Sequence, residues 1–562
     1  MSEVSYTYDI AMFKDTFEHQ FTYLNGFLRN THRFARKNAL TCPIRGKSWT
    51  YAELDSEVNK LANALVKDGV RKNDLVMYQL FNCAEFVFAY LAPQKIGAIN
   101  CPINFRLSSG ETAIIIDDSK PKVFIYDSEI GEMVEKALTM TKHKPERVIM
   151  VDYSGSASPV AGGISLEDYI LAMPDTAPTV SHQAHIYDEV TRLYTSGTTG
   201  MPKGVPKNNI NEIMCAHDAI MHFPISPVDK TMNMTPWFHA GGLHAGGPCP
   251  TLYAGGELIP LRQFNPDLVL EYVQKYAITF LIGAPAVLQM LHDKQIADNR
   301  NISSLRGIIA MGAPLEREAC IRYQKVLTPN IFNGYGTTET FWNTFLRPYD
   351  LPHKAGSTGR SVTDDDVAVV KTYSDRLAEP DDFVARDNQE PGEVIFRPAG
   401  KTPYTYINQP EQDKKRFYKG WVYSGDLATW DEDEFVTIVS RKDDMLITGG
   451  ENVFPVQVEE AINENPKVQD SVVVGLKDSK WGQIICAYIE KKDPSLTAEE
   501  LNEFCKGHPM LARYKRPRYY RFVKSLPFTA TGKKIHYKLA QMVEEDFQKS
   551  LLEAVECAFN KE

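Results

Sequence analysis

Residues 194–206, YTSGTTGMPKGVP, combine the chemical groups that bind phosphate in proteins. Hydroxyl donors alternate with glycines, whose missing side chains let backbone N–H groups approach an anion closely, and one lysine adds a mobile positive charge. The stretch departs from the pattern G-x-x-x-x-G-K-[ST], because Pro202 stands where the second glycine is required and Gly204 follows Lys203. A flexible linker would account for the glycines and threonines but not for the whole set. We therefore predict a phosphate-binding loop of another kind.

These residues need a scaffold, and the chain around them alternates helix-like and strand-like segments. Thr50 and Glu53 make a capping box before apolar residues at three- and four-residue spacing, which predicts a helix from about residue 51. Short apolar runs predict buried strands at 75–81, 123–126, 148–151, 257–261, 278–282 and 305–311. This alternation is typical of mostly parallel, helix-covered sheets, which bind ligands at the loops leaving the strand ends.

The pattern changes after about residue 355 to strands and turns. Residues 427–430 and 435–439 flank an acidic bend and predict a hairpin, so we expect a barrel-like subdomain here. Beyond Arg441 the segments form a mixed α/β set of modest size. We place the main boundary within residues 440–452, SRKDDMLITGGEN, which predicts domains at 1–441 and 442–562.

Length and composition exclude several classes of protein. A chain of 562 residues exceeds the roughly 250–300 residues at which a single core stops growing, so two or more domains are expected. A net charge of −10 gives no general attraction to nucleic acid. No apolar run reaches the roughly 18 residues that suggest a membrane span, and the first residues lack a signal-peptide pattern, so we expect a cytoplasmic protein without a membrane anchor. Nine scattered cysteines without a C-x-x-C pair argue against a disulfide framework and a zinc site.

Six ordered motifs resemble those of the AMP-forming adenylating enzymes, which include acyl- and aryl-CoA synthetases. They are YTSGTTGMPKGV at 194–205, MGAPL at 311–315, GYGTTE at 334–339, YSGD at 423–426, SRKDDMLITGGENVFPVQVEE at 440–460 and LPFTATGKK at 526–534. The resemblance covers nearly the whole chain. It implies an α/β fold with a large N-terminal domain of two doubly wound sheets plus a distorted β-barrel, and a small mobile α+β C-terminal domain.

The resemblance implies a binding site for ATP. It assigns the loop at 194–206 to the pyrophosphate end of ATP, Tyr335 to stacking on adenine, and Asp426 with Arg441 to the ribose hydroxyls. By itself, an aspartate after Ser-Gly is more often a turn residue. The other implied nucleotide-binding residues are Thr195, Ser196, Gly197, Thr198, Thr199, Gly200 and Lys203 in the loop, and Gly312, Ala313, Pro314, Asn333, Gly334, Gly336 and Thr337 near the base and phosphates.

The same resemblance implies the catalytic groups. Thr338 would contact the α-phosphate, and Glu339 with Thr199 would hold Mg²⁺, a hard cation suited to oxygen ligands. Lys533 would supply positive charge where the carboxylate attacks the α-phosphorus, because negative charge spreads over the phosphoryl oxygens in the transition state. A Thr-Glu pair alone would usually be an exposed loop. A surface lysine in a basic tail is the alternative for Lys533, and Lys534 leaves the register open by one residue.

The implied reaction has two halves. A carboxylate and ATP give an acyl adenylate and pyrophosphate, and a thiol then displaces AMP. No enzyme nucleophile is required, and the sequence contains no convincing Ser-His-Asp or Cys-His constellation. In the family, the two halves of the reaction use different orientations of the C-terminal domain. Asp443 matches the hinge position of that domain, whereas Gly449, Gly450 and Glu451 match the loop brought in for thioester formation. The paired glycines alone also fit a tight turn.

Residues 236–247, PWFHAGGLHAGG, bear on the identity of the acid. His239 stands where amino-acid-activating relatives commonly carry an aspartate, which argues against an amino acid. Residues 441–455, RKDDMLITGGENVFP, resemble benzoate-type CoA ligases and favour an aromatic or alicyclic acid, while medium-chain fatty acids stay open. The expected acyl pocket comprises Trp237, His239 and glycines that leave room for the acid, namely Gly241, Gly242, Gly283 and Gly334.

Coenzyme A is the expected acceptor, because no phosphopantetheine-attachment motif follows Lys533. A separate carrier protein stays open as the alternative acceptor. The expected partners are therefore a small carboxylic acid, ATP and coenzyme A, with no nucleic acid, and a homodimer stays open. Luciferase-like oxidation has no feature that demands it. A catalytically dead nucleotide-binding protein is disfavoured, because Lys533, Glu339 and Asp426 are all present.

Overall fold

The computed structural model describes residues 9–196, 202–312, 315, 317–373, 376–441, 446–453, 455–527 and 536–555. No helix in these ranges is long and apolar enough to cross a membrane. The helices are α1 (Ala11–Gln20), α2 (Tyr23–Arg33), α3 (Tyr51–Lys67), α4 (Ala84–Lys95), α5 (Ser109–Ser119), α6 (Gly131–Met140), α7 (Leu166–Ile170), α8 (Asn209–His222), α9 (Ala240–His244), α10 (Pro248–Ala254), α11 (Pro266–Tyr276), α12 (Pro285–Asp298), α13 (Arg317–Val326), α14 (Pro410–Arg416), α15 (Pro455–Asn463), α16 (Ala498–Gly507) and α17 (His536–Gln548).

The strands divide among four sheets. They are β1 (Asn38–Cys42), β2 (Lys47–Thr50), β3 (Leu75–Gln79), β4 (Ile99–Pro102), β5 (Val123–Asp127), β6 (Arg147–Val151), β7 (Ile164–Ser165), β8 (Glu189–Ser196), β9 (Pro202–Asn208), β10 (Lys230–Asn233), β11 (Glu257–Leu258), β12 (Phe280–Gly283), β13 (Gly307–Met311), β14 (Ile331–Thr337), β15 (Phe341–Leu346), β16 (Arg360–Ser361), β17 (Asp365–Val370), β18 (Gly392–Pro398), β19 (Phe417–Tyr418), β20 (Trp421–Trp430), β21 (Val436–Arg441), β22 (Leu446–Thr448), β23 (Glu451–Val453), β24 (Val468–Asp478), β25 (Gly482–Lys491), β26 (Tyr519–Val523) and β27 (Glu553–Ala554).

Two large, mostly parallel sheets form the first part of the chain. The seven-stranded sheet has the order β7-β6-β5-β3-β4-β8-β9, and only its β8–β9 pair is antiparallel. The nine-stranded sheet has the order β16-β15-β14-β13-β12-β10-β11-β1-β2, with a parallel central run from β14 to β1. Helices connect the parallel strands, as the right-handed crossover of such sheets requires. The predicted fold class is confirmed in these two sheets.

Local sequence signals account for most of the element bounds. The Thr50 hydroxyl accepts a hydrogen bond from the backbone N–H of Glu53 at 3.2 Å, and the Glu53 carboxylate accepts one from the N–H of Thr50 at 2.8 Å, so the capping box is confirmed. The strand predicted at 278–282 begins only at Phe280. Its first residues are used to end α11, where Ala277 adopts a left-handed conformation with φ 51° and the N–H of Ile278 bonds back to Val273.

Two smaller sheets follow. In the five-stranded sheet, β17-β18-β20-β19 run side by side and β21 pairs with β20, with Val436 opposite Trp430. This pairing confirms the hairpin predicted at 427–439. The last sheet comprises β22 to β27, and α15, α16 and α17 pack around it. The domain boundary at 441/442 lies between the end of β21 and the start of β22 and stays a prediction. The eight cysteines of the described ranges are free and buried.

A group of buried charges lies beneath the junction of the nine-stranded and five-stranded sheets. The Lys401 ammonium lies 2.6 Å from a carboxylate oxygen of Asp218 and 2.8 Å from one of Asp365, and all three side chains are almost fully buried. Burial raises the pKa of Asp365 to about 7, although Lys401 opposes the shift. Burial alone would lower the pKa of Lys401, but the two aspartates outweigh it and raise that pKa. One ammonium thus holds two carboxylates in a site without water access.

We expect Lys401→Met to destabilise the fold by about 3–5 kcal/mol, because it leaves two buried carboxylates without their counter-ion. The part of this cost that comes from Asp365 should grow as the pH rises above about 7, the pKa of Asp365 in the wild type, because the variant lacks the ammonium that stabilises the ionised form. Thermal and urea unfolding at pH 5 and pH 8 measure both effects. The matched control is Lys506→Met, which removes an exposed ion pair with Glu503 on α16 and should cost less than about 0.5 kcal/mol. Equal losses in the two variants would contradict the assignment.

Candidate active site

A cavity of about 1700 Å³ opens at the carboxyl ends of β13 and β14, between the two large sheets, the five-stranded sheet and the last sheet. This is the edge at which open α/β sheets bind ligands. The structure brings together here most of the predicted residues that it describes: Thr195, Lys203, His239, Gly241, Gly312, Asn333, Gly334, Tyr335, Gly336, Thr337, Thr338, Glu339, Asp426 and Glu451.

Other predicted residues do not line this cavity. Trp237 is fully buried behind the cavity wall, where it packs edge-on against Phe86 with ring centroids 5.4 Å apart. Gly449 and Gly450 form the bend between β22 and β23 with φ of 58° and 79°, so they make the tight turn that a glycine pair also predicts. Eight predicted residues lie outside the described ranges: Gly197, Thr198, Thr199, Gly200, Ala313, Pro314, Asp443 and Lys533. The side chains of Ser196 and Arg441 are likewise not described.

Two antiparallel strands flank the predicted phosphate loop. Strands β8 and β9 pair antiparallel up to Thr195 opposite Lys203 and Ser196 opposite Pro202. Two strands, rather than a strand and a helix, therefore hold the ends of the loop, which explains why the stretch fails the strand-to-helix phosphate pattern. The Lys203 ammonium donates a hydrogen bond of 3.0 Å to the Gln412 side chain and lies 5.3 Å from the centre of the Tyr406 ring.

Glu339 is a buried carboxylate between a tyrosine and an arginine. The Tyr406 hydroxyl donates a hydrogen bond to one carboxylate oxygen, and the Arg416 guanidinium lies 3.3 Å from the other. Burial alone would raise the pKa of Glu339, but Arg416 and then Tyr406 outweigh burial and lower that pKa to about 2. Glu339 is therefore ionised throughout the physiological range, with its negative charge facing the cavity.

Two buried lysines fix the backbone on either side of this carboxylate. The Lys207 ammonium donates to the carbonyl oxygen of Glu339 at 2.6 Å and to that of Lys401 at 2.8 Å. Lys401 in turn donates to the carbonyl oxygen of Trp342 at 2.5 Å. Charged donors make shorter and stronger hydrogen bonds than neutral ones, so the two lysines fix the backbone of the turn at 337–342.

The residues predicted to bind adenosine are in direct contact with one another. The Tyr335 hydroxyl donates to an Asp426 carboxylate oxygen at 2.6 Å, and the ring packs edge-on against Phe396. Asp426 lies opposite Arg441 in the β20–β21 ladder, so the two residues predicted to bind the ribose are neighbours across strands. A base above Tyr335 and a ribose above Asp426 would occupy one continuous surface of the cavity.

Glu451 reaches the same cavity from the β22–β23 hairpin. Its carboxylate accepts a hydrogen bond from Arg106 and one of 3.4 Å from the Asn104 amide. Nε2 of His239 lies 3.4 Å from the carboxylate without hydrogen-bond geometry. Burial alone would raise the pKa of Glu451, but His239 and Arg106 outweigh it and lower that pKa to about 2. The hairpin predicted to serve thioester formation is therefore docked beside the histidine predicted to face the acid.

The glycines expected to leave room for the acid do not leave it in this structure, because other atoms of the chain fill the space. A Cβ atom built on Gly334 would lie 2.7 Å from the Trp342 indole nitrogen, and one on Gly241 would lie 2.5 Å from the Met311 methyl. Gly283 is crowded in the same way by Met234 at 2.8 Å, and Gly242 by the carbonyl oxygen of Pro236 at 1.9 Å. These glycines admit neighbouring side chains and backbone, and Trp342, Phe341 and Met311 line the cavity together with Gly241 and Gly334.

Sequence reasoning missed several residues that contact the predicted ones. Arg416 and Gln412 belong to a charged run, PEQDKKR, that reads as a solvated helix, and the one available signal was Pro410 at its start. Arg106 precedes α5 in a loop with no motif of its own. The missed contact residues are Arg106, Lys207, Tyr406, Gln412 and Arg416.

The chain matches two family models of known proteins over most of its length. The family model of the AMP-binding enzymes matches residues 27–402, and that of the AMP-binding enzyme C-terminal domain matches residues 457–533. A 2-succinylbenzoate–CoA ligase of Geobacillus sp. (strain WCH70) is 30% identical over 506 residues, which cover 88% of this chain and 92% of the relative. A long-chain-fatty-acid–CoA ligase, FadD13 of Mycobacterium tuberculosis, is 29% identical over 499 residues, covering 89% of this chain and 94% of the relative.

One relative of known structure appears in two states. The o-succinylbenzoate CoA synthetase of Bacillus subtilis, a double mutant bound with its product analogue OSB-NCoA, superposes with a TM-score of 0.77 at 25% identity, covering 92% of this chain and 97% of the relative. The same synthetase in complex with AMP gives a TM-score of 0.64 at 25% identity, with 92% and 98% coverage. The chain therefore resembles the first of these arrangements more closely than the second.

Arg106→Gln should undock the β22–β23 hairpin, because it removes a charged partner of the buried Glu451 carboxylate. We expect amide exchange of residues 446–453 to become faster by about tenfold or more, as measured by hydrogen-exchange mass spectrometry at neutral pH. The matched control is Arg397→Gln, which removes an exposed pair with Asp366 and should leave that exchange unchanged.

The same contact predicts a pH dependence. Because the pKa of Glu451 is lowered from its ordinary 4.5 to about 2, its contribution to docking is complete above pH 4.5 and is lost as the pH falls towards 2. Exchange in the wild-type hairpin should therefore rise only in acid. Two results would contradict the contact: the same exchange rate of residues 446–453 in Arg106→Gln and Arg397→Gln, or fast exchange of the wild-type hairpin at neutral pH.

Proposed function

The chain belongs to the AMP-binding enzymes and is an AMP-forming acyl-CoA synthetase that uses ATP and coenzyme A, and on this premise we propose that its acid is a compact aromatic or alicyclic carboxylic acid. The relatives differ in the acids that their names give, an aromatic acid in one and long-chain fatty acids in another. The choice of acid must therefore be argued from the cavity wall of this chain.

The proposal rests on one observation: large side chains fill the space beside the glycines of the expected acyl pocket. Trp342, Met311 and Met234 occupy the volume that Gly334, Gly241 and Gly283 would otherwise open. A long flexible chain needs a tunnel, whereas a flat or compact ring needs a short pocket with apolar and aromatic walls. Phe341 and Trp342 stack with ring centroids 4.5 Å apart and so provide such a wall.

For the first half of the reaction, we assign the described residues by their position in the cavity. Tyr335 and Asp426 would bind adenosine, and the β8–β9 hairpin with Lys203 would hold the departing pyrophosphate. Thr338 would donate to the α-phosphate, where the carboxylate of the acid attacks phosphorus and pyrophosphate leaves. The added positive charge would come from Lys533, because the attack brings two anionic groups together.

Glu339 fits the Mg²⁺ that the family implies, because a carboxylate facing the cavity offers the oxygen ligand that this cation prefers. Glu339 would hold the ion together with Thr199, which lies outside the described residues. When bound, Mg²⁺ would neutralise part of the phosphate charge. The protein's own contribution is to keep Glu339 ionised and its backbone fixed, through Arg416 and Lys207.

For the second half, the docked β22–β23 hairpin supports thioester formation in this arrangement of the chain. Glu451 lies beside His239 and so closes the acid side of the cavity. The greater similarity to the relative bound with its product analogue OSB-NCoA than to its AMP complex supports the same assignment. The thiol of coenzyme A would attack the acyl carbon, and AMP would leave with the bonding electrons.

A panel of acids tests the proposed substrate. We expect pyrophosphate release, and thioester formation when coenzyme A is added, with benzoate and cyclohexanecarboxylate in preference to octanoate and palmitate. Trp342→Ala should open the space beside Gly334 and raise kcat/KM for octanoate relative to benzoate by about tenfold or more, since each methylene accommodated contributes roughly a factor of ten. Both measurements use the same enzyme-coupled pyrophosphate assay.

The matched control is Trp421→Ala, which removes a tryptophan from the five-stranded sheet outside the cavity wall. It should leave the ratio of octanoate to benzoate unchanged. Wild-type preference for octanoate would favour a medium-chain fatty acid and overturn the proposal. An unchanged ratio in Trp342→Ala would remove Trp342 as the limit of the acyl pocket.

A second prediction concerns the catalytic lysine. Lys533→Ala should slow adenylate formation by about 10²–10³-fold, the usual effect of losing one charge-stabilising donor, while still converting a presynthesised acyl adenylate to the thioester. Lys534→Ala is the matched control and separates the two registers. Equal loss of both steps in Lys533→Ala, or loss of the first step in Lys534→Ala instead, would contradict the assignment.

A further inference from the structure

Arg416 occupies a central place in the cavity that no motif predicts. It is the last residue of α14, and its side chain is 18% exposed, towards the cavity that it helps to line. One terminal nitrogen donates to the carbonyl oxygen of Tyr423 at 2.6 Å, and the other lies 3.3 Å from Glu339. The side chain therefore crosses from the five-stranded sheet to the turn at 337–342.

One N–H group of the Arg416 guanidinium lacks an acceptor among the described residues. That group, Nε–H, is buried and has no hydrogen-bond partner among the residues that the structure describes. A buried donor without an acceptor is costly, and such groups are rare unless a ligand or water completes them. Pairing with Glu339 through a terminal nitrogen leaves this N–H group without an acceptor in the described part of the chain.

The surroundings indicate what kind of acceptor is missing. Arg416 interacts electrostatically with Glu339 and Tyr406, and also with Asp426 and Tyr335. It is thus close both to the residues assigned to the ribose and to the one assigned to Mg²⁺, and a nucleotide carries its α-phosphate between those two groups. The planar fork of a guanidinium matches two phosphate oxygens at once.

The same short helix contacts the other predicted phosphate group. Gln412, one turn before Arg416, accepts the hydrogen bond from Lys203. Residues of α14 therefore hold both a cation assigned to pyrophosphate and a cation next to the assigned metal ligand. This places α14 as a second wall of the phosphate site, opposite the β8–β9 hairpin.

We propose that Arg416 is a phosphate-binding residue, which neutralises Glu339 in the ligand-free protein and donates to the α-phosphate of the nucleotide when Glu339 exchanges the guanidinium for Mg²⁺. This inference rests on the proposed function and deepens it by adding a residue to the nucleotide site. No covalent step is involved, and Arg416 changes only its acceptors. The exchange keeps a positive charge beside Glu339 in both states, so the buried carboxylate is never left uncompensated.

Nucleotide binding by calorimetry tests the proposal without turnover. Wild-type protein and Arg416→Gln are titrated with AMP and with adenosine, each in the absence of any acid. We expect Arg416→Gln to bind AMP about tenfold more weakly or worse, and adenosine as the wild type does, because only AMP carries the phosphate. Arg416→Lys keeps the charge without the fork and should give an intermediate loss for AMP.

For the metal ion, the same substitution should raise the affinity rather than lower it. Without nucleotide, Arg416→Gln should bind Mn²⁺, a paramagnetic substitute for Mg²⁺, more tightly than the wild type, because the guanidinium no longer competes for Glu339. Electron paramagnetic resonance of free Mn²⁺ measures this directly. A merely structural role for Arg416 would weaken both ligands, so opposite shifts distinguish the two roles.

Lys419→Gln is the matched control, since it removes a nearby exposed cation that pairs with Glu379 and does not line the cavity. It should change neither the ratio of AMP to adenosine affinity nor the affinity for Mn²⁺. Equal weakening of AMP and adenosine in Arg416→Gln, or no weakening of either, would overturn the proposal, and circular dichroism establishes that each variant is folded. Because no acid is present, failure of the compact-acid proposal would appear in the acid panel and leave the ratio of AMP to adenosine affinity unchanged.

Discussion

The hydrogen bonds of two buried ammonium groups support the rest of the site. Lys207 and Lys401 donate to the backbone carbonyls of Glu339 and Trp342, one at each end of the turn that faces the cavity. Buried ammonium groups are tolerated only when anions and carbonyls surround them, and here Asp218 and Asp365 complete the set. The packing of the sheets and the position of the turn are therefore coupled, because neither lysine can move without losing its acceptors.

The cavity contains two buried carboxylates, and each depends on a cation from a distant part of the chain. Glu339 is paired with Arg416 from the five-stranded sheet region, and Glu451 with Arg106 from the loop before α5. In both cases burial opposes ionisation and neighbouring groups outweigh it, Arg416 and Tyr406 for Glu339 and His239 and Arg106 for Glu451, so both pKa values fall to about 2. Both carboxylates are therefore ionised at neutral pH and place negative charge at two points of the cavity.

The glycines near the cavity illustrate how close packing decides what an apparent space means. Protein interiors are packed as densely as organic crystals, so a missing side chain is normally filled by a neighbour. Trp342 lies against Gly334 and Met311 against Gly241, and the cavity is bounded by these larger side chains. Residue type alone predicts that space is needed at these positions, but not whether a ligand or the chain itself occupies it.

Local patterns were enough for the fold class, the α3 capping box, several strands of both large sheets and the hairpin between β20 and β21. Those features depend on periodicity and on hydrogen bonds between residues close in sequence, which a single sequence displays directly. The ordered motifs likewise indicated Tyr335, Glu339, Asp426 and Glu451 as members of one site. The partners of these residues, Arg416, Tyr406, Arg106 and Lys207, could be identified only in the folded chain. Glu339 meets Tyr406 and Arg416 across 67 and 77 residues, and Glu451 meets Arg106 across 345, and no spacing rule connects charges that only the packing of separate sheets brings together.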